Sequence, residues 1–363
     1  MTFIKEREFS DEHLNNHLEI GAIEVMFDQI VADEQGREYR RVDVRVGDES
    51  DVDPDRRESF LQLGNKGNEI LVANGFMQAP YVSAEGKLII DPNNIIAIEL
   101  YRENGQPTQM ETEWAPQIMK ATALEPLQLL ERGGQYLPSG RLDDRTIERF
   151  TYMPDGIGLR SRQRIYTSLL LEEATISQEL KLKVVSLGSG AAVPNIDATQ
   201  RVERISKGID WDFYDQDAMA LQDAKIAIDA NDFEYSSFNF GPVDTSGNFT
   251  GRDYYSARHL EKNSLDAVDA LGLWEYLTKN QAVAFLRTNY ANLKPGGSMI
   301  VSNMLKSRPH PRYNTHAVGW PGVRMRSPED LLDIVEEAEI DTHNISMTFA
   351  HDGVYVVMEI KKL

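Results

Sequence analysis

The sequence predicts an α/β protein whose C-terminal half is built on an open, mostly parallel sheet. Three observations predict it. An apolar run of strand character ends in a Gly188-Ser189-Gly190 turn, and small residues then lead toward a helix. A second strand, around Trp211–Tyr214, ends in Asp215, 25 residues after Gly190. Two more strands follow at Leu265–Leu271 and Ser298–Asn303, the latter entered through Leu293-Lys294-Pro295-Gly296-Gly297. Strands that alternate with helical stretches indicate βαβ units and a parallel sheet.

At 363 residues the chain is long for one domain of roughly 150 residues. Three parts are expected: a smaller β-rich N-terminal module over 1–112, a helical bridge or lid over 113–180, and the α/β domain over 181–363. In the first part, a short helix opened by Ser10 precedes alternating stretches at Ala22–Val31 and Tyr39–Val46. These flank Asp33-Glu34-Gln35-Gly36 and read as a hairpin. Glu69–Val72, Lys87–Ile90 and Ile95–Tyr101 read as further strands. This part is expected to shape a substrate entrance or a subunit contact.

The bridge is helical by its apolar spacing. Gln117–Arg132 stops at Gly133-Gly134, a common helix terminator, and helices around Asp143–Tyr152 and Ser161–Ile176 follow. Beyond Asp215, Ala218–Ile228 is an alanine-rich helix, and Ser327 followed by Pro328 reads as an N-cap with proline in the first turn. His343–Phe349 and Val354–Ile360, joined around Asp352-Gly353, form a closing hairpin.

Charge narrows the partners. A formal net charge of −20 repels phosphate backbones and anionic membranes. The basic residues form two short clusters, Arg160/Arg162/Arg164 and Arg308/Arg312/Arg324/Arg326, which suit a pocket for one anion better than a track along a nucleic acid. A small-molecule substrate is therefore expected, with neither nucleic acid nor membrane as partner, and a homodimer is allowed. The chain has no cysteine, which excludes disulfides and thiolate catalysis and fits a cytoplasmic location. No metal is expected: His13 and His17 have a ligand-like spacing without a third ligand, and Asp51, Asp53 and Asp55 are followed by Arg56 where a calcium loop needs glycine.

Glycine has no Cβ, so a Gly-x-Gly turn lets the backbone approach a ligand closely. An acid about 20 residues further on can accept hydrogen bonds from ribose hydroxyls. The pair describes a nucleoside site. A dinucleotide turn needs a third glycine or alanine where Val193 stands, so that helix and strand can close on a pyrophosphate. S-adenosylmethionine has no phosphate, and Ala192 is small enough for its turn.

From about Lys181 onward the chain resembles the class I S-adenosylmethionine-dependent methyltransferases. Gly188-Ser189-Gly190 looks like their first motif, Asp215 like their ribose-binding acid, Leu265–Leu277 like their fourth strand and following loop, and Lys294-Pro295-Gly296-Gly297 like the entry to their fifth strand. The resemblance implies a Rossmann-like seven-stranded sheet with a closing antiparallel hairpin and S-adenosyl-L-methionine as cofactor. It places the cofactor on Ser186, Gly188, Ser189, Gly190, Asp215, Gln216, Leu271, Gly272, Leu273 and Trp274. Ser186 departs from the pattern, because many members carry an acid there.

Gly272–Leu277, Asn303, His316, Trp320 and Arg326 are also similar to a bacterial subgroup acting on small acidic or hydroxy-fatty-acyl substrates. The expected reaction is methyl transfer to oxygen or nitrogen of a small anionic or acyl molecule. Arg160, Arg162, Asn303 and Trp320 are expected to hold this acceptor, and His316 or Tyr276 to serve as base for a hydroxyl or amine. Two other readings stay open: a non-catalytic protein that binds the cofactor or a partner, and a nicotinamide oxidoreductase. Val193 and the closing hairpin disfavour the second.

Overall fold

A computed structural model describes residues 18–75, 77–115, 142–252, 260–320 and 322–363. The expected helices at Ser10 and at Gln117–Arg132, together with His13 and His17, lie outside the described residues. The sheet strands are β1 (Ile23–Ala32), β2 (Glu38–Val46), β3 (Lys181–Leu187), β4 (Gly208–Tyr214), β5 (Ser237–Asn239), β6 (Leu265–Ala270), β7 (Leu293–Met304), β8 (Ile345–Ala350) and β9 (Tyr355–Lys361). The main helices are α1 (Pro54–Ala73), α2 (Ile95–Tyr101), α3 (Asp144–Tyr152), α4 (Pro154–Ile176), α5 (Val193–Glu203), α6 (Ala218–Asp229), α7 (Lys279–Asn292) and α8 (Pro328–Glu337).

All nine strands join one sheet in the order β1-β2-β8-β9-β7-β6-β3-β4-β5. From β5 to β7 the neighbours run parallel, and β9 then inserts antiparallel between β7 and β8. The expected mixed α/β sheet with a closing antiparallel hairpin is therefore present. Strand alternation divides the core: Leu182 and Val184 face one cluster with Ile165, Tyr166 and Ile196, while Val185 and Leu187 face the other with Leu286, Leu331 and Leu332. The predicted hairpin at the N-terminus also forms. It extends this same sheet, because β2 pairs parallel with β8 and covers its free edge.

Two expected strands are helical instead. Glu69–Val72 is the last part of α1, whose start is set by Pro54 and by the Asp53 side chain accepting from Arg56 N–H at 3.0 Å. Ile95–Tyr101 is α2, capped by Asn94, with Ile96, Ala97, Leu100 and Tyr101 buried at helical spacing. In both, the cap that starts the helix outweighs a short β-branched run. The final bridge helix starts at Pro154, seven residues before Ser161, and α8 opens with a capping box between Ser327 and Asp330.

Candidate functional site

The turn after β3 alternates left-handed residues: φ is +69° at Gly188, +55° at Gly190 and +57° at Ala192. Gly188 N–H and Ser189 N–H both donate to the Tyr214 carbonyl, at 2.7 and 3.2 Å, which holds the turn against the end of β4. Asp215 follows Tyr214 directly, and its carboxylate accepts from Gly190 N–H and Asp217 N–H, both at 2.9 Å. Burial raises the Asp215 pKa against these two backbone bonds, which favour the charged form. Each oxygen keeps a further lone pair for an incoming hydroxyl. The turn after β6 closes the third side. A Cβ built on Gly188 would lie 2.9 Å from that of Leu273, whereas one on Gly272 would meet only the Gly188 carbonyl, at 4.0 Å.

Thus Gly188, Ser189, Gly190, Asp215, Gly272 and Leu273 come together at the C-terminal edge of the sheet, and the exposed Gln216 adjoins them. Leu271 and Trp274 take part differently. The Leu271 carbonyl accepts from Arg162 and Ser302, and the Trp274 ring is buried edge-on against Phe285.

Ser186 has no acid of its own but hydrogen-bonds to one. Its hydroxyl donates to Asp269 at 2.8 Å, and Asp269 is its register partner on β6. Tyr166 and Asn195 donate to the other Asp269 oxygen at 2.7 and 3.2 Å. Burial pushes Asp269 up to about 7 even so. This carboxylate was missed because its position is defined by strand pairing and not by the glycine motif.

The expected acceptor residues are corrected by their contacts. Arg160 is buried in a bidentate pair with Asp48 at 2.6 and 2.8 Å, and it also donates to the Phe150 and Thr151 carbonyls, so it ties α4 to the segment after β2. Asn303 takes Arg326 Nη1 on its oxygen at 2.6 Å and donates to the Met304 and Arg324 carbonyls. Trp320 donates to the Tyr276 hydroxyl at 2.8 Å and packs on Trp114. Burial raises the Tyr276 pKa, which keeps the phenol protonated and makes it a poor base. The His316 ring lies 3.5 Å from Arg312 and its carbonyl accepts from Asn94, which ties it to elements other than the glycine turn. Arg162 is bonded to the Leu271 carbonyl at the sheet edge, with its guanidinium 5.0 Å from the Tyr355 ring centre.

A different set of charges occupies the space beside that turn. Arg308 donates to Asp155 at 2.8 Å, and Asn314 donates to the same oxygen at 2.7 Å. Glu275, in the turn after β6, is buried and pushed up to about 7 by that burial, against the attraction of Arg162, Arg308 and Arg326. Among the described residues no group of three His, Asp or Glu side chains could hold a metal ion, and no helix is long and apolar enough to cross a membrane.

No known family profile matches the chain, and no curated protein does. Solved structures do. A possible exported protein from Bordetella parapertussis is 14% identical over 85% of this chain and 96% of its own, with a TM-score of 0.54. The citrinin polyketide synthase CMeT domain covers 83% of this chain and 89% of its own at 12% identity, with a TM-score of 0.46. The S-adenosylmethionine-dependent methyltransferase SibL, in its apo form, covers 70% and 71% at 16% identity, with a TM-score of 0.42. At such identity the first of these likenesses, the one with a TM-score above 0.5, is one of fold alone.

Proposed function

We propose that this chain is an S-adenosylmethionine-dependent methyltransferase acting on oxygen or nitrogen of a small acidic molecule. One observation carries the reading. The glycine turn and the Asp215 carboxylate meet through a single hydrogen bond, in a sheet whose last strand runs antiparallel. The antiparallel closing strand fits the methyltransferase resemblance, and Val193 does not fit a pyrophosphate turn.

The residues suit the cofactor. Asp215 has lone pairs for ribose hydroxyls, the glycines of the left-handed turn let the backbone approach a ligand closely, and Gly272 leaves room beside them. S-adenosylmethionine supplies a methyl group on a sulfonium, which is already an activated leaving group. The protein's task is then alignment and exclusion of water, which accounts for the absence of a catalytic dyad in the sequence.

Calorimetric titration with S-adenosylhomocysteine and with NAD tests this reading. The first is expected to bind and the second not. Asp215→Ala removes charge-assisted hydrogen bonds worth about 1.5–3 kcal/mol each, so affinity should fall at least tenfold. Unchanged affinity in a folded variant refutes the ribose assignment.

A further inference from the structure

Five buried polar atoms in one cluster have no hydrogen-bond partner: Asp155 Oδ2, Glu275 Oε2, Arg308 Nη2, Asn314 Oδ1 and Tyr355 Oη. Their residues are between 0% and 2% exposed. Asp155, Arg308 and Asn314 are joined by the hydrogen bonds already described. Tyr355 lies under the Arg162 guanidinium, and the charges of Glu275, Asp155 and Arg308 all act on it. The five come from different parts of the chain: the first turn of α4, the turn after β6, the segment after β7 and the start of β9. Tyr355 pairs with Met304, the last residue of β7, so the cluster stands at the same sheet edge as the glycine turn.

Buried polar groups are ordinarily hydrogen-bonded, and each bond left unmade costs the desolvation of its group. Five such atoms leave donors and acceptors for a partner from outside the chain. Their chemistry selects the ligand. Arg308 and Tyr355 offer N–H and O–H donors, while Asp155, Asn314 and Glu275 offer acceptor oxygens. The guanidinium among these donors suits an anionic ligand, a carboxylate above all.

We propose that this cluster is the methyl-acceptor site and that it takes a small hydroxycarboxylate. The carboxylate is held by Arg308 with Tyr355, and the hydroxyl hydrogens by Asp155, Asn314 and Glu275. The assignment rests on the methyltransferase reading for the word acceptor, but not for the ligand's chemistry.

The test uses three probes of equal carbon count on the full-length protein: glycerate, propionate and glycerol. Each is titrated calorimetrically with and without S-adenosylhomocysteine. Glycerate is expected to bind, propionate at least tenfold more weakly, and glycerol not measurably. Tyr355→Phe removes an oxygen that has no internal partner, so the free variant should melt no lower than the parent while losing at least fivefold in glycerate affinity. Glu275→Gln should also weaken glycerate. Failure of glycerate to bind while S-adenosylhomocysteine binds overturns the acceptor site and leaves the methyltransferase reading standing. Glycerate binding without S-adenosylhomocysteine binding keeps the ligand chemistry and overturns that reading. Equal glycerate affinity in both variants overturns the proposal.

Discussion

Single residues in the glycine turn play different parts although the motif makes them look alike. Gly188 has both a left-handed backbone and a neighbour in the way, since a Cβ there lies 2.9 Å from that of Leu273. Gly190 has the backbone requirement alone, with nothing within 4 Å of an added Cβ. Gly190→Ala should therefore cost about 1–2 kcal/mol, the penalty of a left-handed L-residue. Gly188→Ala should cost more, because the turn after β6 must move as well. Urea denaturation of the two variants checks the order, and equal losses would mean that the Leu273 contact yields freely. Both glycines and Asp215 were legible as a motif. Asp269 was not, because the bond from Ser186 exists only once β3 and β6 lie side by side.

Arg160 shows what an element can do with a residue that the sequence offers to a ligand. It sits in the second turn of α4 with its side chain fully buried, and the guanidinium becomes the link to Asp48. Burial alone would raise the Asp48 pKa, and the Arg160 hydrogen bonds instead hold it well below the usual carboxylate range. Removing one partner of a buried pair typically costs about 3–5 kcal/mol. Arg160→Met should lose about that much by chemical denaturation, with S-adenosylhomocysteine affinity unchanged in the folded protein. A variant of normal stability but weakened ligand binding would restore the role first expected of Arg160. The helix α1 acts on the site in a similar indirect way. Gly64 lets His310 lie against it, since a Cβ there would be 2.4 Å from the imidazole Nδ1. That contact braces the segment carrying Arg308 and Asn314.

At the scale of the whole molecule, two buried acids give part of the stability a pH dependence of unusual sign. Asp269 and Glu275 are both pushed up to about 7, whereas in the unfolded chain they titrate near 4. Between those values the folded protein binds more protons than the unfolded one. The stability these groups contribute is thus full below about pH 4 and is lost as pH rises through about 7, at up to about 1.4 kcal/mol per pH unit for each. Asp269→Asn keeps the uncharged form at every pH. Its stability should fall less steeply than the parent's between pH 5 and 7.5, as measured by urea denaturation at both. A parallel decline would show that Asp269 is ionised throughout.

The sequence by itself determined the α/β class, the strand-turn-acid motif, the hairpins at both ends and the extents of α3 and α6. Those depend on contacts between near neighbours: caps, glycine turns and the alternation of apolar residues. Only the tertiary structure decided that the N-terminal hairpin extends the main sheet, that Arg160, Asn303 and Trp320 are satisfied internally, and that Asp155, Glu275, Arg308, Asn314 and Tyr355 meet. The last five are spread from position 155 to position 355. Nothing in their local sequence distinguishes them from surface charges, because what sets them apart is burial without partners, and burial is a property of the packed chain.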